Sequence, residues 1–404
     1  MSPSMTTLQA FMVASLPATG MCYAVLGALK LPLADRLKMN EAKVGGLVSS
    51  FGFMVGPIIL LCGFLADALG RKGVWLTGSV MVALSLFMLA RTKKYSWAVV
   101  AVLLLSGGWA AMINVANVLM YLAYANVFMA TNLLDFFFGL GAFLTPTVTV
   151  LLIRRFGFSK AVTVLGALLT IPAFFSLAVQ MQSAPVAQPV SFGALATDPV
   201  MWLCALTLMF WVPIESSTAA WTTTFVNGLA PAGEAPERSR RIAAWTLSGF
   251  WLCFMGARLL TALIFHAGEM PTEEVARNAA MAHTVHVARV THIVLAVLCI
   301  VMLLGLVFSR KRALTIALIL LAGLLYGPFF PNLMAILLSH FPVEVHGRAV
   351  GMLFATASIG WTVFPMIIGA IATRSTLQRG FLVAVGCGVV LLALVTGHFF
   401  YAAK

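Results

Sequence analysis

Charge is what this 404-residue sequence has least of, since only 9% of it is Asp, Glu, Lys or Arg. A water-soluble domain carries about 25%, so a soluble globule is excluded. Strand-like alternation of apolar and polar residues is missing too, which excludes an outer-membrane barrel. The six cysteines, Cys22, Cys62, Cys204, Cys253, Cys299 and Cys387, all fall inside apolar runs and form no C-x-x-C pair. They read as small packing residues, so neither a disulfide framework nor a metal site is expected. No Lys or Arg precedes residue 30 and no cleavage site is evident. The N-terminal run therefore reads as a first span rather than a signal peptide. No nucleophile–base constellation or cofactor loop stands out, so neither an enzyme nor a bound cofactor is expected.

Apolar residues make up 61% of the chain. A membrane-spanning helix takes about 20 of them, and twelve such runs can be read. They lie at approximately 8–33, 44–66, 74–90, 98–120, 131–153, 160–180, 200–227, 242–266, 288–308, 313–338, 348–372 and 380–400. The expected fold is an all-α membrane protein of twelve transmembrane helices. The net charge of +13 sits in loops and helix ends, where it meets membrane lipid headgroups rather than nucleic acid.

Residues 181–199 break the pattern with Pro185, Pro189 and Pro199. They read as a linker between two six-helix bundles, 1–180 and 200–404. The halves repeat. Gly141-x4-Pro146 in the fifth run recurs as Gly360-x4-Pro365 in the eleventh, 219 residues later, and Gly56 and Gly256 in the second and eighth runs lie 200 apart. A longer eighth loop, 267–287, accounts for the difference. Two parallel, pseudo-symmetric repeats with a substrate site between them are expected. Gly52 and Gly56 form a small-x-x-x-small pair suited to close helix contact. Pro271-Thr-Glu-Glu, followed by a mixed run, suggests a capped helix on the membrane surface. His283, His286 and His292 lack a carboxylate or Cys at ligand spacing, so no metal is assigned to them.

Between the second and third runs the chain reads Gly63-Phe-Leu-Ala-Asp67-Ala-Leu-Gly70-Arg71-Lys72-Gly. Gly63 permits close helix approach, Asp67 can cap a helix or pair with a cation, and Gly70 supplies a positive-φ turn. Arg71 and Lys72 are expected to anchor at headgroups. The plain alternative is an ordinary basic membrane loop. The spacing closely resembles the loop 2–3 signature of the major facilitator superfamily of transporters, and that resemblance implies a loop that braces one gate.

The seventh run contains Trp211-Val-Pro-Ile-Glu215-Ser-Ser-Thr-Ala-Ala-Trp221, and the fifth opens Asn132-Leu-Leu-Asp135-Phe-Phe-Phe-Gly139-Leu-Gly141-Ala. With Phe330-Pro331 in the tenth run and Gly360-x4-Pro365-x3-Gly369 in the eleventh, the chain resembles the fucose permease family of sugar:proton symporters over nearly its whole length. That family has acidic residues in helices 1 and 4, where Ala28 and Ile113 stand here. Asp135 stands where the family has a Gln, and is a candidate to have taken over proton coupling together with Glu215.

A charge at a helix centre costs about 2.5–3.5 kcal/mol, so Lys30, Asp135, Glu215 and Arg258 would cost on the order of 10 kcal/mol facing lipid. They are expected to face a cavity, pair or snorkel. Lys30 and Arg258 are the candidates for an ion pair or for contact with an anion. Asn114, Asn117 and Asn332 can serve as interhelical glue or as donors to substrate hydroxyls. Trp221, Trp245, Tyr326 and Trp361 can stack on the C–H face of a sugar, or simply pack. These Asn and aromatic residues with Glu215 make up the candidate binding set.

The expected function is alternating-access transport of a small neutral polyhydroxylated solute such as a sugar, with protons as a candidate co-substrate. Small organic anions are the second cargo class, and a non-transporting receptor or assembly factor is a reading of another kind. A monomer in a bacterial inner (plasma) membrane is expected. One pattern opposes the family. The odd-numbered loops hold 17 Lys and Arg, the even-numbered loops and termini hold 6, and Lys30 and Arg258 complete the 25. The positive-inside rule then puts the odd loops in the cytoplasm and both termini outside, the reverse of the family arrangement.

Overall fold

A computed structural model describes residues 3–181, 191–267, 271 and 273–401. Helices account for nearly all of them, and no strand occurs among the described residues. The first six long helices are α1 (Pro3–Leu37), α2 (Glu41–Leu69), α3 (Arg71–Arg91), α4 (Tyr95–Ala123), α5 (Val127–Phe156) and α6 (Phe158–Ala178). A short α7 (Phe192–Thr197) precedes α8 (Pro199–Gly228), α9 (Pro236–Ala267), α10 (Glu274–Phe308), α11 (Arg312–Tyr326) and α12 (Phe329–His340). A 3-10 turn at Val343–Val345 leads into α13 (His346–Arg374), and α14 (Leu377–Tyr401) follows. Twelve helical stretches are long and apolar enough to cross a membrane, with α11 and α12 together forming one of them. The shortest, α3 and α6, have 21 residues. At 1.5 Å per residue that length matches a hydrocarbon core of about 30 Å. The chain is an integral, multi-pass membrane protein.

Local chemistry sets the helix ends. The Asn40 side chain accepts from Lys43 N, and that of Asn126 from Phe128 N and Met129 N. Asp198 accepts from Val200 N and Met201 N, with Pro199 opening α8. Each fills donors that a helix start leaves open. Gly70 (φ 96°) and Gly157 (φ 73°) turn the chain between abutting helices in a region that other residues avoid.

The tenth run stands as one membrane-crossing stretch, with a turn at Gly327-Pro328 between α11 and α12. Two expectations need correction. The surface helix expected after Pro271 is instead the first part of α10, which runs unbroken from Glu274. No proline interrupts that segment, so polar composition marks depth in the membrane and not a helix end. Gly52 faces open space rather than a neighbouring helix. Of the 181–199 linker, residues 182–190 lie outside the described residues, Phe192–Thr197 are helical and Asp198 caps α8.

Contacts group the chain into two units, Met1–Phe192 with Phe341–Ala355, and Gly193–His340 with Thr356–Lys404. In the first, α1 packs on α5 and α4, α2 on α4, and α3 on α4 and α6. In the second, α10 packs on α14, α9 on α11, and α8 on α14 and α9. One packing device recurs inside each unit. A side chain at Gly141 of α5 would collide with the Pro17 carbonyl of α1, and one at Gly360 of α13 with the Met209 carbonyl of α8. Lipid supplies no hydrophobic drive between helices, so backbone-close crossings at small residues carry the association.

Candidate functional site

In the first unit a half-buried and buried polar cluster gathers around the 63–72 stretch. Asp67, only 6% exposed, accepts Gly347 N–H at 3.1 Å and Arg348 N–H at 2.9 Å. Arg348 Nε also donates to it at 3.1 Å. The carboxylate therefore caps the start of α13 and neutralises a guanidinium in one place, favoured by the positive end of the helix. Gly63 makes the arrangement possible, because a Cβ there would strike the Gly347 carbonyl. Asn114 is fully buried and donates to Gly347 O (3.0 Å) and Ile59 O (3.4 Å).

Arg71 and Lys72 do not reach out as headgroup anchors. Arg71 is 2% exposed and donates to Val343 O at 3.1 Å, while Lys72 Nζ donates to Leu177 O and Val179 O at the end of α6. Carbonyls at helix ends and turns lack intrahelical donors, and these two cations supply them. The 343–348 segment is thus fastened to α2, α3 and α4 through Asp67, Arg71 and Asn114.

A second constellation in this unit has no local sequence signal. The ring of Tyr23 on α1, a residue 41% exposed, lies 5.1 Å from Trp109 on α4 and 5.7 Å from Phe138 on α5. Phe51 on α2 is 6.1 Å away. Four helices converge their aromatic faces here. Trp109 Nε1 is buried and has no hydrogen-bond partner among the described residues. Asp135, buried, lies one turn before Phe138 on α5. Asn117 is buried and donates to Ile113 O of its own helix. Lys30 is exposed near the end of α1.

In the second unit Arg258 is buried, its Nε donating to Gly327 O at 2.9 Å and its guanidinium 4.0 Å above the Phe254 ring. It thereby serves a carbonyl freed by the α11–α12 break. Tyr326 is completely buried, its hydroxyl 3.3 Å from that of Thr218 and its ring against Trp211 and Phe250. Trp211 stacks on Phe329 at 4.0 Å, and His292 Nε2 lies 3.1 Å from Phe329 O. Glu215, half-buried, sits one turn from both Trp211 and Thr218 on α8. Trp221 and Trp361 are half-buried, with Trp221 beside Gly369, and Asn332 is buried. Trp245 is 71% exposed, on a stripe with Leu252, Leu260 and Leu263 that joins none of these groups. Among the described residues no three His, Cys, Asp or Glu come together as metal ligands.

Two bundles of membrane-crossing helices, with the 63–72 stretch fastened to the start of α13, define the class: the chain has the fold of the major facilitator superfamily transporters. Among solved structures it is similar to the superfamily transporter FucP, with a TM-score of 0.76 at 13% identity over 96% of this chain and 97% of that one. A variant of the E. coli fucose:proton symporter FucP gives 0.71 at 14% identity, over 96% and 97%. The human organic anion transporter MFSD10 (TETRAN) gives 0.69 at 14%, over 98% and 100%. At these identities the likeness establishes the fold. No family model matches the sequence, and no curated protein does.

Proposed function

We propose that this protein is a secondary transporter that carries a small neutral polyhydroxylated solute by alternating access, with a proton as co-substrate. The observation that carries the reading is the fastening of residues 343–348 by Asp67, Arg71 and Asn114, in a chain with the transporter fold. The bonds from Asp67, Arg71 and Asn114 to the start of α13 can break and re-form as a unit, which a gate requires. The FucP likeness supports a sugar-like cargo. The aromatic faces of Tyr23, Phe51, Trp109 and Phe138 suit the C–H surface of a sugar ring, and the indole N–H of Trp109 is free to donate to a hydroxyl. Within the second unit, Glu215, Asn332, Trp221 and Trp361 are the polar and aromatic groups offered to a solute, and in the first unit Asp135 carries the proton. Asn114, Asn117, Tyr326 and Arg258 act through the scaffold, since the amide nitrogens of the two Asn, the Tyr326 hydroxyl and Arg258 Nε all bond within it.

The test is uptake of labelled sugars and organic anions into proteoliposomes, with and without an inward proton gradient. Gradient-driven accumulation of a sugar, lost in Asp135→Asn, is expected. Equilibration without accumulation would make the protein a uniporter and remove Asp135 from coupling.

Organic anions are a second reading, prompted by the likeness to MFSD10. Arg258 weighs against it, since its guanidinium is buried and committed to Gly327 O. Accumulation of an anion alone would reverse the order of the two. No flux of any solute would point to a binding or assembly role.

A further inference from the structure

One end of the α10–α14 seam in the second unit gathers a guanidinium and several imidazoles. The two helices are the ninth and twelfth membrane crossings and so run antiparallel. The rings of His286 and Phe399 meet at 5.3 Å and set the register between them. From there Arg289 and His292 lie one and nearly two turns further along α10, and His398 stands next to Phe399 on α14. Arg289, His292 and His340 all lie within electrostatic reach of His398. His398 is 2% exposed, yet its Nε2 has no hydrogen-bond partner among the described residues. Arg289 is half-buried, and its Nε is a second buried donor without a partner among them.

The polar groups around this pair are committed elsewhere. His292 Nε2 lies 3.1 Å from Phe329 O. Asp198 faces His340 Nε2 at 3.2 Å with one oxygen and accepts the N–H groups of Val200 and Met201 with the other. Glu274 opens α10 four turns before Arg289, about 22 Å away at 1.5 Å per residue. A guanidinium is always charged, and a partly buried one is costly unless an anion faces it. The imidazoles do not come together as metal ligands among the described residues, so the two orphaned donors call for an acceptor rather than a cation. Arg289 and His398 stand at the edges of the apolar runs 288–308 and 380–400, which is headgroup depth. Val290, Val294 and Phe400 on the same helix ends are 41%, 51% and 63% exposed. An acceptor held at that depth beside exposed apolar side chains is the phosphate of a lipid with its acyl chains.

We infer that Arg289 and His398 form a binding site for the phosphate of one anionic phospholipid on the α10–α14 seam. The guanidinium takes two phosphate oxygens through Nε and a terminal nitrogen, a match its planar fork favours. His398 donates from Nε2 in the tautomer that carries its proton there, and the acyl chains run over Val290, Val294 and Phe400. The headgroup thereby supplies the counter-charge that Arg289 lacks within the chain and ties α10 to α14 at that end. The site lies wholly within the second unit. It depends neither on the cargo nor on the side of the membrane that this end faces.

The test is native mass spectrometry of the full chain in neutral detergent, titrated with phosphatidylglycerol, with phosphatidylcholine and with inorganic phosphate. One phosphatidylglycerol held in preference to phosphatidylcholine is expected, with its apparent Kd raised about tenfold in Arg289→Gln and by a smaller factor in His398→Phe. Arg289→Lys keeps the charge without the fork and should fall between wild type and Arg289→Gln. Arg277→Gln removes an exposed cation three turns earlier on α10 and should leave the Kd unchanged. Unfolding temperature in nanodiscs separates binding from folding. Arg289→Gln should match wild type in phosphatidylcholine and lose the rise that phosphatidylglycerol gives wild type. An unchanged Kd in Arg289→Gln, or an equal loss in Arg277→Gln, overturns the site. An equal fall of the unfolding temperature in both lipids makes Arg289 a structural residue and overturns it too. Inorganic phosphate that binds in place of the lipid, and no longer does so in Arg289→Gln, overturns the lipid as its occupant.

Discussion

Replacing Asp67 with alanine should release the start of α13 from α2, and the size of the effect can be worked out from the contacts. The carboxylate accepts the Gly347 and Arg348 N–H groups together with Arg348 Nε. Losing a helix cap costs about 0.5–2 kcal/mol, and removing one partner of a buried ion pair costs about 3–5 kcal/mol. The Arg348 side chain keeps 15% exposure, so water reaching it brings the total to the low end, about 3 kcal/mol. At about 1.4 kcal/mol per tenfold, the closed arrangement loses on the order of 100-fold in population relative to the open one. Amide hydrogen exchange of residues 347–355, measured by mass spectrometry in nanodiscs, should speed up by about that factor. Asp67→Asn keeps one acceptor oxygen without the charge and should fall between wild type and alanine. Unchanged exchange in Asp67→Ala would refute the reasoning, because the fastening would then carry no energy.

Other substitutions test the scaffold. Even the first carbon of a side chain at Gly141 would sit 2.6 Å from the Pro17 carbonyl carbon. Gly141→Ala and Gly360→Ala should therefore each cost about 1–3 kcal/mol and lower the unfolding temperature, while Gly256→Ala, which meets open space, should not. Arg258→Gln should destabilise by about 1–3 kcal/mol, since Gly327 O loses its charged donor. Tyr326→Phe removes one neutral hydroxyl contact and should cost about 0.5–1.5 kcal/mol with uptake retained. Trp245→Ala should leave the solute's apparent KM unchanged, because the ring stands on the exposed face of α9. A raised KM would return that ring to the binding set.

The fold was legible because membrane burial writes itself into composition. Twelve apolar runs and the turn at Gly70 follow from local chemistry. The break at Gly327-Pro328 escaped notice because hydropathy is continuous across it, although the proline was in plain view. The helical 274–287 segment escaped for the opposite reason: its polar residues set its depth, and nothing in them ends a helix. The site was legible only as residue types. Asn114, Asn117, Tyr326 and Arg258 stand out as polar groups in apolar runs. Whether such a group serves a solute or a carbonyl depends on its partner, here Gly347, Ile113, Thr218 and Gly327, and three of these partners lie in other helices or at a helix break. The cluster of Tyr23, Phe51, Trp109 and Phe138 is drawn from four helices, so no window along the chain contains it.

Asn114 shows how the two roles can be separated. If it bound solute through its amide nitrogen, that nitrogen would have to leave Gly347 O, and Asn114→Ala would raise KM while exchange at 347–355 stayed as in wild type. If it belongs to the fastening, as the 3.0 Å bond to Gly347 O indicates, the same variant should accelerate exchange of that segment. Asp67 holds the N–H of Gly347 while Asn114 holds its carbonyl. The two side chains grip one residue, so their losses should not add. In a double-mutant cycle, Asp67→Ala with Asn114→Ala should show a coupling of about 0.5–3 kcal/mol, because the second substitution acts on a segment already released. Strict additivity in exchange would mean that the two contacts are held independently, and the start of α13 would then not move as one unit.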